Sequence, residues 1–332
     1  MRAIQKGKVL VTAGSVANSP RALEAMRAAG HEVIVTTTPP SSDQAWINEQ
    51  VKDIDALVFA MEPVNRNALE AAQRLRVIAR PGVGFDSVDI DAATERGVIV
   101  TVAAGTNHES VADFTFGLML QAMRGLTDAA NNVRGGGWQR TIGTELWSKT
   151  LAVVGFGRIG QAVVKRARGF DMKVLVVSRS KPELAPGFEN VSFVSLDEAL
   201  AQADILSLHA PLTDATANMV NAESISRMKP GAFIINTSRG GLIDEAALAD
   251  AVKSGRLGGA AVDVLCKQGA GSTSPLIGVP GIIVTPHMAT FSRESIERVA
   301  MSVARSVVTA LEGRMPEHTV NPQAWDAAGK AS

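Results

Sequence analysis

Short runs of aliphatic and β-branched residues alternate with longer stretches of helical apolar spacing along the first hundred residues. Strand-like runs fall at 8–12, 32–37, 55–60, 76–80 and 98–102, with helical spacing at 20–29, 43–52, 65–74 and 89–96 between them. Such alternation predicts a parallel sheet with helices on both faces. His108 to Val133 reads as one long amphipathic helix, with Val111, Phe114, Leu118, Met119 and Ala122 on one face, and Arg134–Trp138 follows as a glycine loop. The alternation restarts at Leu151 and runs to about Thr285, with strands at 151–154, 173–177, 191–194, 204–208, 232–236, 258–264 and 281–284. A last helix spans 292–312 and ends at Gly313, and the polar tail 314–332 is expected on the surface.

The fold class is therefore α/β, with two doubly wound parallel-sheet domains. Ligands of such sheets bind beyond the carboxyl ends of the strands, where strand order reverses. With two such domains, the cleft between them is the expected site.

Composition narrows the function. The 332 residues carry 33 basic and 33 acidic side chains and no basic run, so neither nucleic acid nor a membrane surface is an expected partner. The first eight residues lead straight into a strand and lack the apolar core of a signal peptide, and no apolar run approaches a membrane span. The single cysteine, Cys266, excludes an internal disulfide, suits the cytoplasm, and reads as inert although near the site. There is no tyrosine, so proton transfer falls to His, Lys, Asp or Glu, and no metal site is expected. Arg21, Arg27, Lys165, Arg166 and Arg168 read as solvated helix faces, and His31 and His318 as surface residues.

The most informative segment is Thr150–Lys181. A buried-strand run ends in Gly155-Phe-Gly157-Arg158-Ile159-Gly160, and a helix and a second strand, 173–177, follow. A G-x-G-x-x-G turn in this context is the dinucleotide-binding fingerprint. Gly155 permits the tight turn, Gly157 admits a pyrophosphate to the backbone, and Gly160 lets helix and strand pack closely. The helix start offers free N–H groups and a positive dipole end to the phosphates. After the second strand an NAD site places an acidic residue. This chain has Ser178, Arg179 and Ser180 instead, which favours a 2′-phosphate and NADP(H) over NAD(H).

Other chemistry gathers at strand ends: Arg80–Gly84, Ser207–Pro211, Asn236–Gly241 and Thr285–His287. An Arg there suits a carboxylate clamp, because its planar fork binds bidentately. A His suits proton transfer, because its pKa lies near working pH.

These motifs resemble the D-2-hydroxyacid dehydrogenase superfamily (glyoxylate and hydroxypyruvate reductases, phosphoglycerate, D-lactate and formate dehydrogenases) over nearly the whole chain. The resemblance is carried by Val154–Gly160, His209–Thr213, Met228–Gly231, Asn236–Gly240, Ala261–Val264 and Thr285–His287. It implies a flavodoxin-like substrate domain of residues 1–102 plus 289–332 and a Rossmann dinucleotide domain of 103–288. It also implies a homodimer joined through the dinucleotide domains, with the 108–133 helix as the arm. By resemblance, Arg239 holds the substrate's carboxylate and keto oxygen and His287 transfers the proton. Val83 and Gly84 N–H groups hold the carboxylate, and Asn107 lies near nicotinamide and substrate. Arg158 and Ile159 lie against the pyrophosphate, Pro211 and Thr237 flank the cofactor, Asp263 lies near the carboxamide, and His209 walls the adenine or phosphate side.

Each assignment has a structural rival. Arg239 also reads as a salt-bridge arginine, His287 as a strand-end histidine bonded to backbone, and Asp263 as a loop carboxylate. His108 fits either a helix start or the cleft.

Three departures matter. The family reads Asp-Val-Phe-x-x-Glu-Pro, with the Glu paired to the histidine, whereas here Gln268-Gly269 stands at that point and no acidic residue lies between Asp263 and Glu294. Formate dehydrogenases resemble this chain in pairing Gln with His. Met61 and Glu62 stand where phosphoglycerate-specific members carry arginines, which disfavours a phosphorylated substrate. The third is Met288-Ala-Thr290-Phe291, where the family has a Gly near Thr290, and Phe291 either narrows the cleft or packs. The leading reading is an NADPH-dependent reductase of a small 2-keto acid, with a small anionic substrate as partner. Oxidation of a small anion such as formate is the alternative, and a dinucleotide-sensing interaction protein the third.

Overall fold

The computed structural model of the chain describes residues 6–36, 44–59, 62–184 and 186–330. The chain forms two compact units, one from Met1–Asn107 with Ser292–Ser332 and the other from His108–Phe291. The first unit begins with five strands, β1 (Lys8–Val11), β2 (Glu32–Val35), β3 (Ala56–Val58), β4 (Val77–Arg80) and β5 (Ile99–Val102). Helices α1 (Gly14–Ala17), α2 (Pro20–Ala28), α3 (Gln44–Gln50), α4 (Arg66–Ala71) and α5 (Ile90–Glu95) connect them. All pairings are parallel, in the order β2-β1-β3-β4-β5, the flavodoxin-like arrangement. Side-chain caps start the helices where the sequence places small polar residues: Ser19, Asn65 and Asp89 each accept the N–H three residues on.

The second unit opens with α6 (His108–Arg124) and α7 (Leu126–Arg134). The expected single helix 108–133 is thus two. Gly125 adopts φ 60°, a left-handed conformation at which α6 ends and α7 begins. The buried face of α6 centres on Val111, Phe116, Leu118, Met119 and Met123, whereas Phe114 and Ala122 are only partly covered.

Seven parallel strands follow: β6 (Thr150–Val154), β7 (Lys173–Val177), β8 (Val191–Phe193), β9 (Ile205–Leu208), β10 (Phe233–Asn236), β11 (Gly259–Val262) and β12 (Ile282–Val284). Their order is β12-β11-β10-β9-β6-β7-β8, so strand order reverses between β6 and β9. Helices α8 (Arg158–Ala167), α9 (Leu196–Gln202), α10 (Ala222–Arg227) and α11 (Glu245–Lys253) cover the faces. Alternate residues of β6 serve opposite cores. Leu151 and Val153 pack with α6 and α8 residues, and Ala152 and Val154 with α9 to α11 residues. Burial on both faces explains why these strands read as continuous apolar runs. Arg166 is not the solvated residue expected: its guanidinium contacts Glu109 at 2.7 Å and Asp113 at 2.7 Å, tying α8 to α6.

The chain then returns to the first unit through α12 (Arg293–Leu311), whose Ser292 N-cap accepts from Ser295. Val299, Val303 and Val307 of α12 are buried against the first sheet, each contributing roughly 1.5–3 kcal/mol of apolar burial. Gly313 follows at φ 76° and terminates it. The tail is not the surface segment that its polarity suggested. It forms α13 (Gln323–Lys330) and buries Asn321 and Ala324. The Asn321 side chain accepts from Val100 N–H at 2.8 Å and donates to Val98 C=O at 2.9 Å, completing the hydrogen bonding of the sheet edge at β5.

His31 is buried, not superficial, and His318 is half-buried. The His31 Nδ1 accepts from Gly7 N–H at 3.1 Å and its Nε2 has no partner among the described residues. Burial pushes its pKa down, with Glu312 and Asp55 opposing. The neutral form therefore stabilises the fold, fully so above the unfolded value near 6.5, and this contribution is lost as pH falls through the lowered folded value. Urea unfolding should give a lower midpoint at pH 5.5 than at pH 7.5, and His31→Asn, which cannot gain charge, should shrink that difference. An equal pH dependence in the variant would exclude His31 as the cause.

Candidate active site

The second unit's site is built where strand order reverses. At the end of β6, Gly155 has φ 98°, and a Cβ there would lie 2.6 Å from the His209 carbonyl group. At Gly160 a Cβ would lie 2.1 Å from the Gly155 carbonyl oxygen, so the first turn of α8 rests directly on the β6 turn. Gly157 is different: a Cβ there would meet nothing within 4 Å. Two of the glycines are thus required by packing, and the third leaves an open approach to the backbone. Gly157 is also the N-cap of α8, with no side-chain cap and no acidic residue in the first turn. The N–H groups of Arg158, Ile159 and Gly160 at this helix start suit a bound pyrophosphate.

At the end of β7, Ser178 is half-buried, while Arg179 and Ser180 are exposed. At the end of β9, the His209 Nε2 lies 2.8 Å from Ser207 Oγ. Burial holds His209 at about 4, hence neutral, and its buried Nδ1 has no protein partner among the described residues. Pro211 is exposed beside it. Thr237, after β10, is 9% exposed and its hydroxyl lies 3.2 Å from Thr115 of α6.

Three neighbouring strands carry the polar centre. Beyond β10, Asn236 donates to the Arg239 carbonyl at 2.9 Å and accepts from Ser238 N–H at 3.0 Å, fixing the turn. The half-buried Arg239 donates through Nη1 to the Ser238 carbonyl at 2.9 Å. Beyond β11, the buried Asp263 carboxylate accepts from Thr285 Oγ1 (2.6 Å), Met288 N–H (2.9 Å) and Ala289 N–H (2.8 Å). Its carbonyl accepts from His287 N–H at 2.9 Å. Asp263 therefore ties down the turn after β12, the loop-carboxylate reading of this residue. That turn holds His287 at φ 52°, a left-handed conformation costing about 1–2 kcal/mol in a residue with a side chain.

The His287 ring is bonded not to backbone but to Gln268, with Nδ1 2.7 Å from Oε1. The amide oxygen thus places a proton on Nδ1 and leaves Nε2 as the reactive nitrogen. Burial lowers the His287 pKa first, the Arg239 charge lowers it further, and Asp263 opposes. Cys266, two residues before Gln268, is exposed, and partial burial with Glu245 nearby raises its pKa, which keeps it a thiol.

In the first unit, Arg80 lies under the 80–84 turn. Its Nη1 donates to the Gly84 carbonyl at 2.5 Å and its guanidinium stacks over Phe59 at 5.2 Å. Val83 is 40% exposed at the turn's tip, and Asn107 is buried where the unit ends. Glu62 is buried and accepts from Thr12 Oγ1 at 2.8 Å, whereas Met61 lies outside the described residues. His108 sits at the start of α6 with its Nε2 3.5 Å from Glu109. Phe291 is 63% exposed, which does not fit a packing role. Sequence reading missed Thr115 and Glu245, whose hydrogen-bond partners motif spacing does not reveal.

The sequence profile described as "D-isomer specific 2-hydroxyacid dehydrogenase, NAD binding domain" matches residues 116–289. The chain belongs to this family. A glyoxylate reductase of Korarchaeum cryptofilum is 37% identical over 86% of this dehydrogenase and 87% of its own length. A D-3-phosphoglycerate dehydrogenase of Methanocaldococcus jannaschii is 40% identical over 82% of this chain but only 53% of its own. The TT0316 protein of Thermus thermophilus shares the fold with a TM-score of 0.87 and 36% identity, covering 94% of this chain and 99% of that one. The protein is an NAD(P)-dependent 2-hydroxyacid dehydrogenase, and a nicotinamide dinucleotide fits the glycine turn as built.

The glycine geometry makes a clear contrast. Gly160→Ala should lower stability by about 3 kcal/mol, the upper range for overpacking against an atom that cannot move aside. Gly157→Ala should stay within about 0.5 kcal/mol of the parent. Denaturant unfolding of the two variants measures this, and equal losses would contradict the assigned contacts.

Proposed function

We propose that this dehydrogenase reduces a small 2-keto acid, such as glyoxylate, hydroxypyruvate or a substituted pyruvate, to the D-2-hydroxy acid with NADPH. The observation that carries the reading is a carboxylate-binding Arg239 in the loop after β10 together with His287 in the loop after β12, its ring held by Gln268. When bound, the dinucleotide supplies the hydride. Arg239 would grip the substrate carboxylate and polarise the keto oxygen through its planar fork. His287 would protonate that oxygen from Nε2 while Gln268 holds Nδ1. Val83 and Gly84 N–H groups and Asn107 are the first unit's proposed contribution, and Glu62, an acidic residue rather than an arginine, supports an unphosphorylated substrate. A family relative that reduces glyoxylate supports the substrate class.

Arg179 supports NADPH over NADH, being exposed at the end of β7 with no ion pair among the described residues. A homodimer through the dinucleotide units is supported by Leu126, Val133, Trp138, Ile142 and Trp147, which are 49–103% exposed along one segment. The exposed thiol of Cys266 suits a reducing compartment such as the cytoplasm. Among the described residues no helix is long and apolar enough to cross a membrane. The second reading, formate oxidation, is favoured by Gln268 on His287, because transfer of hydride from formate moves no proton and needs no basic imidazole.

Steady-state rates with NADPH and NADH against a panel of 2-keto acids, with formate oxidation alongside, test this reading. NADPH should be preferred clearly, and Arg179→Ala should erase most of the preference. Equal use of both cofactors by the parent would overturn the NADP reading, and turnover of formate alone would favour the second.

The pH dependence follows from the lowered His287 pKa. Reduction needs protonated His287, so its rate should fall as pH rises through a value below the ordinary 6.5. Gln268→Glu places a carboxylate beside the imidazolium and should move that limb upward by about 1–3 units. An unmoved limb would remove His287 from the proton-transfer role.

A further inference from the structure

Gln268 carries no charge, so it can direct the His287 ring only by standing in the right place. A carboxylate would attract an imidazolium over several ångströms, but an amide must meet the Nδ1 hydrogen at bonding distance. The loop that carries Gln268 is poorly suited to that demand by itself. Residues 266–271 are exposed, and Gly269 and Gly271 have φ 118° and 78°. Internal bonds are few and centre on Ser272: its Oγ donates to the Lys267 carbonyl at 2.7 Å and accepts from Ser274 N–H at 3.4 Å, and its N–H donates to the Gly269 carbonyl at 3.2 Å.

Both ends of this loop meet one side chain. The Glu245 Oε1 accepts from Cys266 N–H at 2.7 Å, and its Oε2 accepts from Ser274 Oγ at 2.7 Å. Glu245 is the first residue of α11, whose start is fixed by Asp244 accepting from Ala246 and Ala247 N–H. Leu248 and Ala249 then anchor the helix in the core. Gly240, next to Arg239, completes the seat: a Cβ there would lie 2.1 Å from the Leu265 carbonyl carbon. The carboxylate thus ties an exposed, glycine-containing loop to a core-anchored helix, two residues from Gln268.

We propose that Glu245 is a positioning residue of the reaction, holding the Cys266–Ser274 loop so that Gln268 orients His287. This rests on His287 being the proton donor. Glu245 acts through the loop, by way of its bonds to Cys266 and Ser274. Glutamine keeps an acceptor for Cys266 N–H, and its amide can donate to the Ser274 hydroxyl, so the conservative variant retains the tether.

The test combines keto-acid reduction with NADPH and hydrogen exchange of the loop amides, using Glu245→Ala, Glu245→Gln, Gln268→Ala and the Ala–Ala double variant. Glu245→Ala should speed exchange across the loop and lower kcat about 10–100-fold, the scale for misplacing a catalytic group by an ångström. NADPH affinity should stay within about twofold and Glu245→Gln within about threefold of the parent, both inside the range of ordinary surface changes. In the Gln268→Ala background, Glu245→Ala should cost little more, because both act on one contact. Unchanged loop exchange in Glu245→Ala, or a kcat loss that adds fully to that of Gln268→Ala, would overturn the proposal. His287→Gln separates the two readings. If it retains turnover, the proton-donor reading falls and this one with it. If it abolishes turnover while Glu245→Ala leaves kcat intact, only the role of Glu245 is lost.

Discussion

The second unit depends on a contact with no room for a side chain. The Gly160 Cα sits over the Gly155 carbonyl so closely that a methyl group would lie 2.1 Å from its oxygen. Gly155 in turn leaves no space between itself and His209. These approaches let β6, α8 and β9 meet at the one place where strand order reverses, so the crossovers leave in opposite directions and the carboxyl ends stand open. The uncapped start of α8 is left pointing there, with Gly157 unobstructed. Binding chemistry follows from packing that glycine alone allows.

A second constraint governs the reactive groups. His287 occupies a backbone conformation that side chains disfavour, and the buried Asp263 carboxylate accepts three hydrogen bonds from the same turn. Buried charge is tolerated there because these hydrogen bonds are made at short range. The result is a histidine whose backbone is set by Asp263 and whose ring is set by Gln268. The ring is thus oriented by an uncharged amide, and burial keeps the His287 pKa low.

Much of this was legible in the residues. Continuous apolar runs bounded by glycine and polar turns marked the parallel strands, because burial on both faces forbids polar positions. The glycine fingerprint and the Arg239 turn stood out as motifs, and the Gln268–His287 pairing was implied by the family resemblance. Other features were not legible. One glycine, Gly125, splits a helix that apolar spacing presented as continuous, since spacing carries no information on φ. The polar tail holds Asn321, whose amide matches the free groups of β5, so polarity there reflects hydrogen bonding to a sheet edge rather than exposure. His31 looked superficial because nothing local reveals that Gly7 needs an acceptor.

By itself the sequence determined the alternation of strands and helices, the glycines that bring β6 and α8 together, and the residue types available for hydride-transfer chemistry. These are local matters, settled by the two periodicities of strand and helix and by the conformations a residue can adopt. Only the tertiary structure decided which groups act on one another. Gln268 reaches His287 across 19 residues, Glu245 reaches Cys266 across 21, and Asp263 reaches Ala289 across 26. Such contacts arise because β10, β11 and β12 lie side by side and end together, and strand order is a property of the packed sheet, not of neighbouring residues.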